Sequence, residues 1–426
     1  MTDDLPTLAA EAYGYGYPLL QDLRAVGTAS VFNAFTHQRG VPDTPNANPD
    51  VLYSIAQLDL SGGPLWLRVP DTGGRYHVVQ FVDAWTDNFA YVGSRTTPDE
   101  EREFLLVPPG WAGREAPAAE VIRVPTMITT LIARFGVGPG VHALQDALTI
   151  DRMYPRVSLD GLPRPQAGVP DELIFLETLR RSLAAFPPSP AERRYQRRFA
   201  PLGLFDGGNS PYPTMPREQR AAIREGLERG REALEEAATT EHAALVNGWT
   251  NDLHTFDYNL DYFEVGTVDA PQWTLPDRDT AHHVRAVAAR TRLWGHHAYE
   301  AVYPTVHKDR EGVRLTGAHA YTLRLDPPPP SAGGWSLAMY DGPGSRLVPN
   351  ELDKHSVGAG TPGLRTEPDG SVTILIQPDR PDDPAAVPNW LPAPRGEFHP
   401  VLRVYAPADA ILRDEYHLPP LVETAR

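Results

Sequence analysis

Proline is the feature of this sequence that most limits its fold. The chain has 45 prolines among 426 residues, roughly twice the ordinary share of about 5%. Proline lacks a backbone N–H and has a fixed φ angle, so it is excluded from helix interiors and from central strands. Many of these prolines gather at corners, as at 327–330 and 378–394. This density predicts many short strands joined by long ordered loops.

Hydrophobic periodicity divides the chain into three segments. Apolar residues recur at helical spacing near residues 5–35 and through much of the middle of the chain. They alternate with polar residues in much of 51–92, where a β-meander fits, and short strands return near the C-terminus. The sequence therefore predicts an α+β fold: an N-terminal β-meander or barrel-like domain with a leading helix (1–150), a mostly helical middle segment (151–300) and a C-terminal antiparallel β-sandwich, jelly-roll-like in character (301–426).

Charge and composition exclude several classes of function. Acidic residues outnumber basic ones, 55 to 39, which disfavours nucleic acid as a partner because phosphate binding requires a positive patch. The absence of cysteine excludes disulfides, thiolate nucleophiles and zinc–thiolate sites. The acidic N-terminus has no apolar signal-like stretch, and no apolar run is long enough to cross a membrane. We therefore expect a cytoplasmic protein without nucleic-acid or membrane partners.

An asparagine-rich stretch supplies the first candidate site residues. Asn46, Asn48, Asp50 and Tyr53 lie just before and within the first long strand-like segment. Such side chains commonly form Asx turns, which here would hold the loop at the start of the strand. The sequence favours this structural role and a functional role equally. A calcium loop is rejected, because Val51 stands where that loop requires glycine.

A second polar group follows the strand that contains Gln80. Asp83, Trp85 and Asn88 lie in its terminal turn, and His77 and Arg95 lie nearby in sequence. We predict a pocket in which Asp50, Tyr53, Asp83 and Arg95 are catalytic, and in which the substrate-binding residues are Asn46, Asn48, His77, Gln80, Trp85 and Asn88. If Gln80 is buried it needs a partner, for which Asp83 and Tyr53 are candidates. The alternative for Asp83 is a structural ion pair with Arg95.

The sequence resembles a bacterial family of paired domains of unknown function, numbered 1254 (N-terminal) and 1214 (C-terminal). The resemblance rests on segments 45–54, 58–64, 69–76, 83–86 and 93–97, on a linking segment at 201–206, and on segments 335–341, 369–371, 389–394 and 403–405. It implies a β-rich N-terminal domain, a helical middle, a jelly-roll-like C-terminal sandwich and a homo-oligomer. It implies no established chemistry. The chain departs from the family pattern at Pro49, which is an addition, and at Val51, which replaces a threonine.

The residues support three hypotheses of function. The first is an enzyme without a cofactor or metal, a hydrolase, lyase or cyclase that acts on a small organic metabolite, with secondary metabolism as one setting. Its chemistry would be acid–base catalysis by carboxylate, tyrosine and arginine. The second is a non-catalytic β-sandwich that binds a carbohydrate or another small ligand. The third is a metal-dependent oxygenase with scattered histidine ligands.

Overall fold

The N-terminal part of the chain forms two stacked sheets preceded by a helix. The computed structural model describes residues 4–113, 120–154, 162–239, 245–250 and 252–424. Its first elements are α1 (Leu5–Val26), β1 (Phe35–His37), β2 (Val51–Asp59), β3 (Leu65–Val69), β4 (His77–Asp83), β5 (Asn88–Gly93), β6 (Arg102–Val107), β7 (Glu120–Arg123), β8 (Ile128–Gly136), α2 (Val141–Ala147) and β9 (Thr149–Arg152). Sheet I has the order β1-β2-β8-β4-β5, and sheet II has the order β7-β6-β3-β9.

The β-meander predicted for residues 51–92 is not formed, because consecutive strands β2, β3 and β4 are not neighbours in one sheet. Strands β2 and β4 lie on either side of β8 in sheet I, whereas β3 lies in sheet II between β6 and β9. The turn after β2 therefore carries the chain from one layer to the other, and neither sheet closes into a barrel. The physical reason is burial: alternate side chains such as Leu58, Leu67 and Phe81 pack into one core between the two sheets.

The middle of the chain is mainly helical. It contains α3 (Ile174–Ala185), α4 (Pro190–Gln196), α5 (Arg217–Thr239), the short hairpin of β10 (Leu245–Val246) and β11 (Trp249–Thr250), and α6 (Arg278–Thr291). The predicted apolar stripe of α3 is buried at Leu176, Leu179 and Leu183. Helix α1 packs on these helices in a second core, and it ends nine residues before the predicted limit of 35.

The C-terminal part forms a second pair of sheets. Its elements are β12 (Ala301–Val302), β13 (Ala320–Leu325), β14 (Trp335–Asp341), β15 (Ser356–Gly358), β16 (Val372–Gln377), β17 (Trp390–Pro392), β18 (Phe398–Tyr405), α7 (Asp409–Leu412) and β19 (Val422–Thr424). Sheet III has the order β12-β18-β14-β15, and sheet IV has the order β17-β16-β13-β19. Strands β16 and β17 pair in parallel, which departs from the antiparallel expectation.

These elements together form the predicted α+β fold, with helices grouped apart from mostly antiparallel sheets. Among the described residues, no helix is long and apolar enough to cross a membrane. The outer face of sheet I lies against the C-terminal sandwich, because Val78 and Tyr91 of sheet I share its core. Tyr76, just before β4, packs against Tyr405 on the outer face of sheet III. The space between these two faces positions the candidate site.

Candidate functional site

The outer face of sheet I presents a tyrosine and a buried arginine. Leu52, Ala56 and Leu58 of β2 point into the N-terminal core, so the alternation of a strand places Tyr53 on the opposite face. Tyr53 is paired in register with Arg134 of β8. The Arg134 guanidinium carbon is 5.0 Å from the centroid of the Tyr53 ring, and its Nη1 donates to Gln80 Oε1 at 2.7 Å.

The outer face of sheet III presents a second buried arginine. Leu402 and Val404 of β18 point into the C-terminal core, so Arg403 and Tyr405 point outward. Arg403 Nη2 donates to the Tyr340 hydroxyl at 2.5 Å. Its Nη1 is buried and has no hydrogen-bond partner in the described parts of the chain.

The loop before β2 joins the two faces. Asp50 accepts hydrogen bonds from the hydroxyls of Ser356 at 2.8 Å and Tyr405 at 3.4 Å, and also from that of Ser336. Asn48 Nδ2 donates to the Tyr405 hydroxyl at 3.0 Å, and its Oδ1 accepts from the Asp50 N–H at 2.9 Å. The second of these bonds is the Asx turn of the predicted structural role. The carboxylate of Asp50 nevertheless reaches the C-terminal domain.

Two further tyrosines lie between these faces. The Tyr76 ring is 4.8 Å from the Tyr405 ring, and its buried hydroxyl has no partner among the residues that the structure describes. Tyr303 follows β12 directly; burial raises its pKa, and the charges of Arg134 and Arg403 oppose that rise. The charges of both arginines therefore act on the Tyr303 hydroxyl. We call the space bounded by Tyr53, Tyr76, Arg134, Tyr303, Arg403 and Tyr405 the interdomain cleft.

His296 borders this cleft as a buried, neutral imidazole. Neither of its ring nitrogens has a hydrogen-bond partner in the described part of the chain. Burial, together with the charge of Arg134, holds its pKa well below the ordinary value. His296 and Tyr303 line one small cavity, with an empty volume of about 280 Å³ that includes the open solvent at its mouth. This cavity therefore lies beside Tyr303, at the edge of the cleft.

The charges around the cleft do not balance. Arg95 donates to Glu300 at 2.6 Å, so these two charges neutralise each other. Asp50 is then the carboxylate whose negative charge interacts with Arg403 and Tyr405. Within the described ranges, neither Arg134 nor Arg403 has a carboxylate within ion-pair distance. The cleft therefore has two guanidinium groups against one carboxylate.

Asp83 and Arg95 do not join Asp50 and Tyr53 in the predicted pocket. Asp83 lies at the end of β4, where its Oδ1 accepts from the N–H groups of Trp85 and Asp87, each at 2.9 Å. Burial raises the pKa of Asp83 to about 7. Asp83 is three positions after Gln80 in the strand, so the two side chains point to opposite faces of sheet I. No Asp83–Arg95 pair forms, because Arg95 binds Glu300.

Four predicted substrate-binding residues have structural partners instead. Gln80 Nε2 donates to Asn88 Oδ1 at 2.6 Å and to the Gly295 carbonyl at 2.9 Å, and Asn88 Nδ2 donates to the same carbonyl. Gln80 thus bonds to neither Asp83 nor Tyr53. Trp85 packs in the helical core and donates to the Phe186 carbonyl. His77 faces the N-terminal core, where its ring stacks on Phe135.

Asn46 lies at the edge of the same loop. It is exposed and has a positive φ of 57°, a conformation that asparagine tolerates well. Its backbone N–H donates to the Ser345 carbonyl at 2.7 Å. Of the predicted site residues, the structure therefore brings Asn48, Asp50 and Tyr53 to the interdomain cleft, and Gln80 supports the cleft as a hydrogen-bond partner of Arg134.

Sequence reasoning missed the two arginines. Arg134 stands between Ala133 and Phe135 in β8, and Arg403 stands between Leu402 and Val404 in β18. A charged residue inside a strand that is otherwise apolar seldom serves a core, because burying an unpaired charge is costly. That signal was present in the sequence and could have identified both residues.

The described residues contain no group of three or more His, Asp or Glu side chains placed to hold a metal ion. The described part of the chain therefore contains no set of ligands for the metal site of the scattered-histidine hypothesis. A larger apolar pocket, about 420 Å³ of empty space, lies under Trp249, Leu402 and Tyr416. It lacks the convergent charged groups of the interdomain cleft.

Two family profiles match the chain, one in its N-terminal part and one in its C-terminal part. Residues 32–152 match the profile "Protein of unknown function (DUF1254)", and residues 300–409 match "Protein of unknown function (DUF1214)". The chain belongs to the family that pairs these two domains. The DUF1254 match contains Tyr53, Tyr76 and Arg134, and the DUF1214 match contains Tyr303 and Arg403. The cleft of this DUF1254–DUF1214 protein thus lies between its two family domains.

Solved structures are similar to this family member over almost its whole length. The crystal structure of the VPA0106 protein from Vibrio parahaemolyticus is 24% identical, covers 99% of this chain and 100% of its own, and has a TM-score of 0.77. This likeness supports the fold. A putative uncharacterized protein from Burkholderia cenocepacia is 15% identical, covering 97% of this chain and 89% of its own, with a TM-score of 0.44. No curated protein matches the chain.

Proposed function

We propose that this protein is an enzyme that acts on a small organic molecule in the interdomain cleft by acid–base chemistry. The observation that carries the proposal is the contact between the Arg134 guanidinium and the ring of Tyr53, in a cleft that also holds Tyr76 and Tyr303. Hydrolysis, elimination and cyclisation all require proton transfer, and a positioned phenol with a neighbouring cation can perform it.

Tyr53 is the residue to which we assign proton transfer. It is partly exposed, so a ligand in the cleft can reach its hydroxyl. Arg134 is 8% exposed, and its pKa is raised because interactions with Tyr53 and Tyr303 outweigh the effect of burial. A permanently charged guanidinium at this position would stabilise negative charge that develops on the Tyr53 oxygen during the reaction.

Tyr76 and Tyr303 are suited to donate hydrogen bonds or protons. Burial raises the pKa of both hydroxyls, so both are neutral near pH 7. The Tyr76 hydroxyl is buried without a partner within the described residues, which leaves its proton available to a bound molecule. Asp50 would act through Tyr405, whose hydroxyl it holds in place.

This arrangement supports catalysis better than simple ligand binding. A carbohydrate-binding module would offer an open aromatic platform. Here the rings of Tyr76 and Tyr405 pack against each other between two domains. The pKa values of the surrounding groups are also strongly perturbed, which is more common at catalytic sites than at binding surfaces.

The test of this proposal is turnover by a variant without the Tyr53 hydroxyl. The purified protein is incubated with a small-molecule extract, and mass spectrometry identifies compounds that are consumed. Tyr53→Phe should reduce the rate at least about a hundredfold, the usual contribution of an acid–base group. Tyr154→Phe is the control, because Tyr154 is 43% exposed and lies outside the cleft. Full activity of Tyr53→Phe would contradict the proposal.

We also propose a cytoplasmic location and a homo-oligomeric state for the enzyme. The resemblance to the family motivates the second of these statements. Cell fractionation tests the first of them. Light scattering of the purified protein tests the second, and a mass of one chain, 46.9 kDa, would contradict it.

A further inference from the structure

The interdomain cleft has an excess of positive charge in a strongly acidic protein. The chain carries a formal net charge of −16. Around the cleft, however, Glu300 is already paired with Arg95, and Asp50 is the remaining carboxylate, whose charge acts on Arg403. Arg134 and Arg403 together therefore outweigh it. A buried charge without a partner destabilises a fold, so its presence calls for a compensating group.

The unmatched charge is accompanied by unused hydrogen-bond donors. Arg403 is 5% exposed, and its Nη1 has no partner within the described ranges. The buried hydroxyl of Tyr76 is likewise without a partner there. Both groups can donate to oxygen, and a guanidinium can bind the two oxygens of a carboxylate side by side.

The surroundings of these donors favour one class of anion. A single excess positive charge matches a monoanion, whereas a phosphate monoester, with a charge near −1.5 to −2, would overcompensate it. The rings of Tyr53, Tyr76 and Tyr405 make the walls of the cleft aromatic, which suits an organic group attached to the anion. A cation is disfavoured, because both arginines would repel it.

We propose that the interdomain cleft binds an organic monocarboxylate, with its carboxylate held by Arg403 and Arg134. This inference rests on the proposed function, because it names the substrate class of the same site. Arg403 provides the free Nη1 donor, and Arg134 provides the second charge beside Tyr53. The proton-transfer group is therefore next to the anchored end of the substrate.

The test uses benzoate as the probe, because it joins one carboxylate to one aromatic ring. Saturation-transfer NMR on the full chain measures its binding, with benzamide as a neutral molecule of the same shape and inorganic phosphate as the competing anion. Benzoate should bind, benzamide should not, and phosphate should not displace benzoate at equal concentration. Arg403→Gln and Arg134→Gln should each weaken binding at least about tenfold, through loss of a charge-assisted pair.

Two further variants distinguish a specific loss of benzoate binding from a general effect of replacing an arginine. Arg403→Lys retains the charge but loses the planar fork, so a folded Arg403→Lys protein should also bind benzoate more weakly. Arg380→Gln is the control, because Arg380 is exposed and pairs with Glu351 on the surface. Its affinity for benzoate should be unchanged. Thermal unfolding of each variant confirms that it is folded.

The possible outcomes separate this inference from the proposed function. Benzoate binding that is equal in all variants, binding of benzamide as strong as that of benzoate, or preferential binding of phosphate would each overturn the inference. Turnover of a neutral compound that depends on Tyr53 would overturn it while leaving the proposed function intact. Carboxylate binding that depends on Arg403, in a protein whose Tyr53→Phe variant keeps full turnover, would support the inference and contradict the function.

Discussion

At the scale of single residues, burial decides what each polar group can do. Tyr53, Asp50 and Asn48 could be singled out from the sequence because polar side chains before and within an apolar strand are unusual, and the structure places all three at the interdomain cleft. Asp83 was misplaced because its position depends on strand parity: it is an odd number of residues from Gln80, which turns it away from the cleft. Arg134 and Arg403 were within reach of sequence reasoning as charges inside apolar strands.

Asp22 shows the effect of burial on a carboxyl group outside the cleft. It is 1% exposed, and its Oδ1 accepts from Trp294 Nε1 at 2.7 Å. Burial raises its pKa to about 8, although this hydrogen bond opposes the rise. In an unfolded chain an aspartate titrates near 3.9, so between roughly pH 4 and pH 8 the native state holds the extra proton.

The sign of the pH effect follows. The free energy of unfolding falls as the pH rises through this window, because the unfolded chain has lost this proton and folding must take it up again. Asp22→Asn has no proton to lose and can still accept from Trp294. The variant should match the wild type near pH 4 and melt at least about 2 °C higher at pH 9, by differential scanning fluorimetry. Asp379→Asn, at an exposed position, should follow the wild type. An identical pH profile for Asp22→Asn would show that Asp22 is ionised in the fold.

At the scale of elements, local patterns predicted which segments are strands and helices but not which strands are neighbours. Strands β3 and β13 lie where the alternation placed them. The assignment of β3 to sheet II depends on contacts with β6 and β9, which come later in the chain. Short local windows contain no information about such long-range pairing.

Helices α1 and α5 pack closely through glycines in α5. A Cβ atom on Gly226 would lie 2.1 Å from the Pro6 carbonyl oxygen, and one on Gly230 would lie 2.7 Å from that of Ala10. Gly14 in α1 has no atom within 4 Å of the same position. The absence of a side chain is therefore a packing requirement in α5, whereas it is not one at Gly14.

Alanine substitutions at these glycines should have opposite effects. Gly14→Ala should stabilise the protein by about 0.5–1 kcal/mol, because alanine favours the helix. Gly226→Ala should destabilise it by about 1–3 kcal/mol, because the methyl group forces the two helices apart. Urea unfolding of both variants measures the difference. Stabilisation by both substitutions would mean that α1 and α5 do not pack as described.

At the scale of the whole molecule, the two family domains are joined across the cleft by the loop before β2. Asp50 and Asn48 belong to the N-terminal domain, yet Ser336, Ser356 and Tyr405 of the C-terminal domain complete their hydrogen bonds. The α+β class could be predicted from local patterns. The cleft could not, because it exists only where two separate sheets present their outer faces to each other.

The most direct measurement of the central claim is a crystal structure of the protein grown with benzoate. The account predicts density for the ring among the cleft tyrosines, with the carboxylate oxygens at hydrogen-bond distance, about 2.7–2.9 Å, from the guanidinium nitrogens of Arg403 or Arg134. A cleft that contains only water, with benzoate bound elsewhere or nowhere, would contradict the claim that this cleft binds an organic carboxylate.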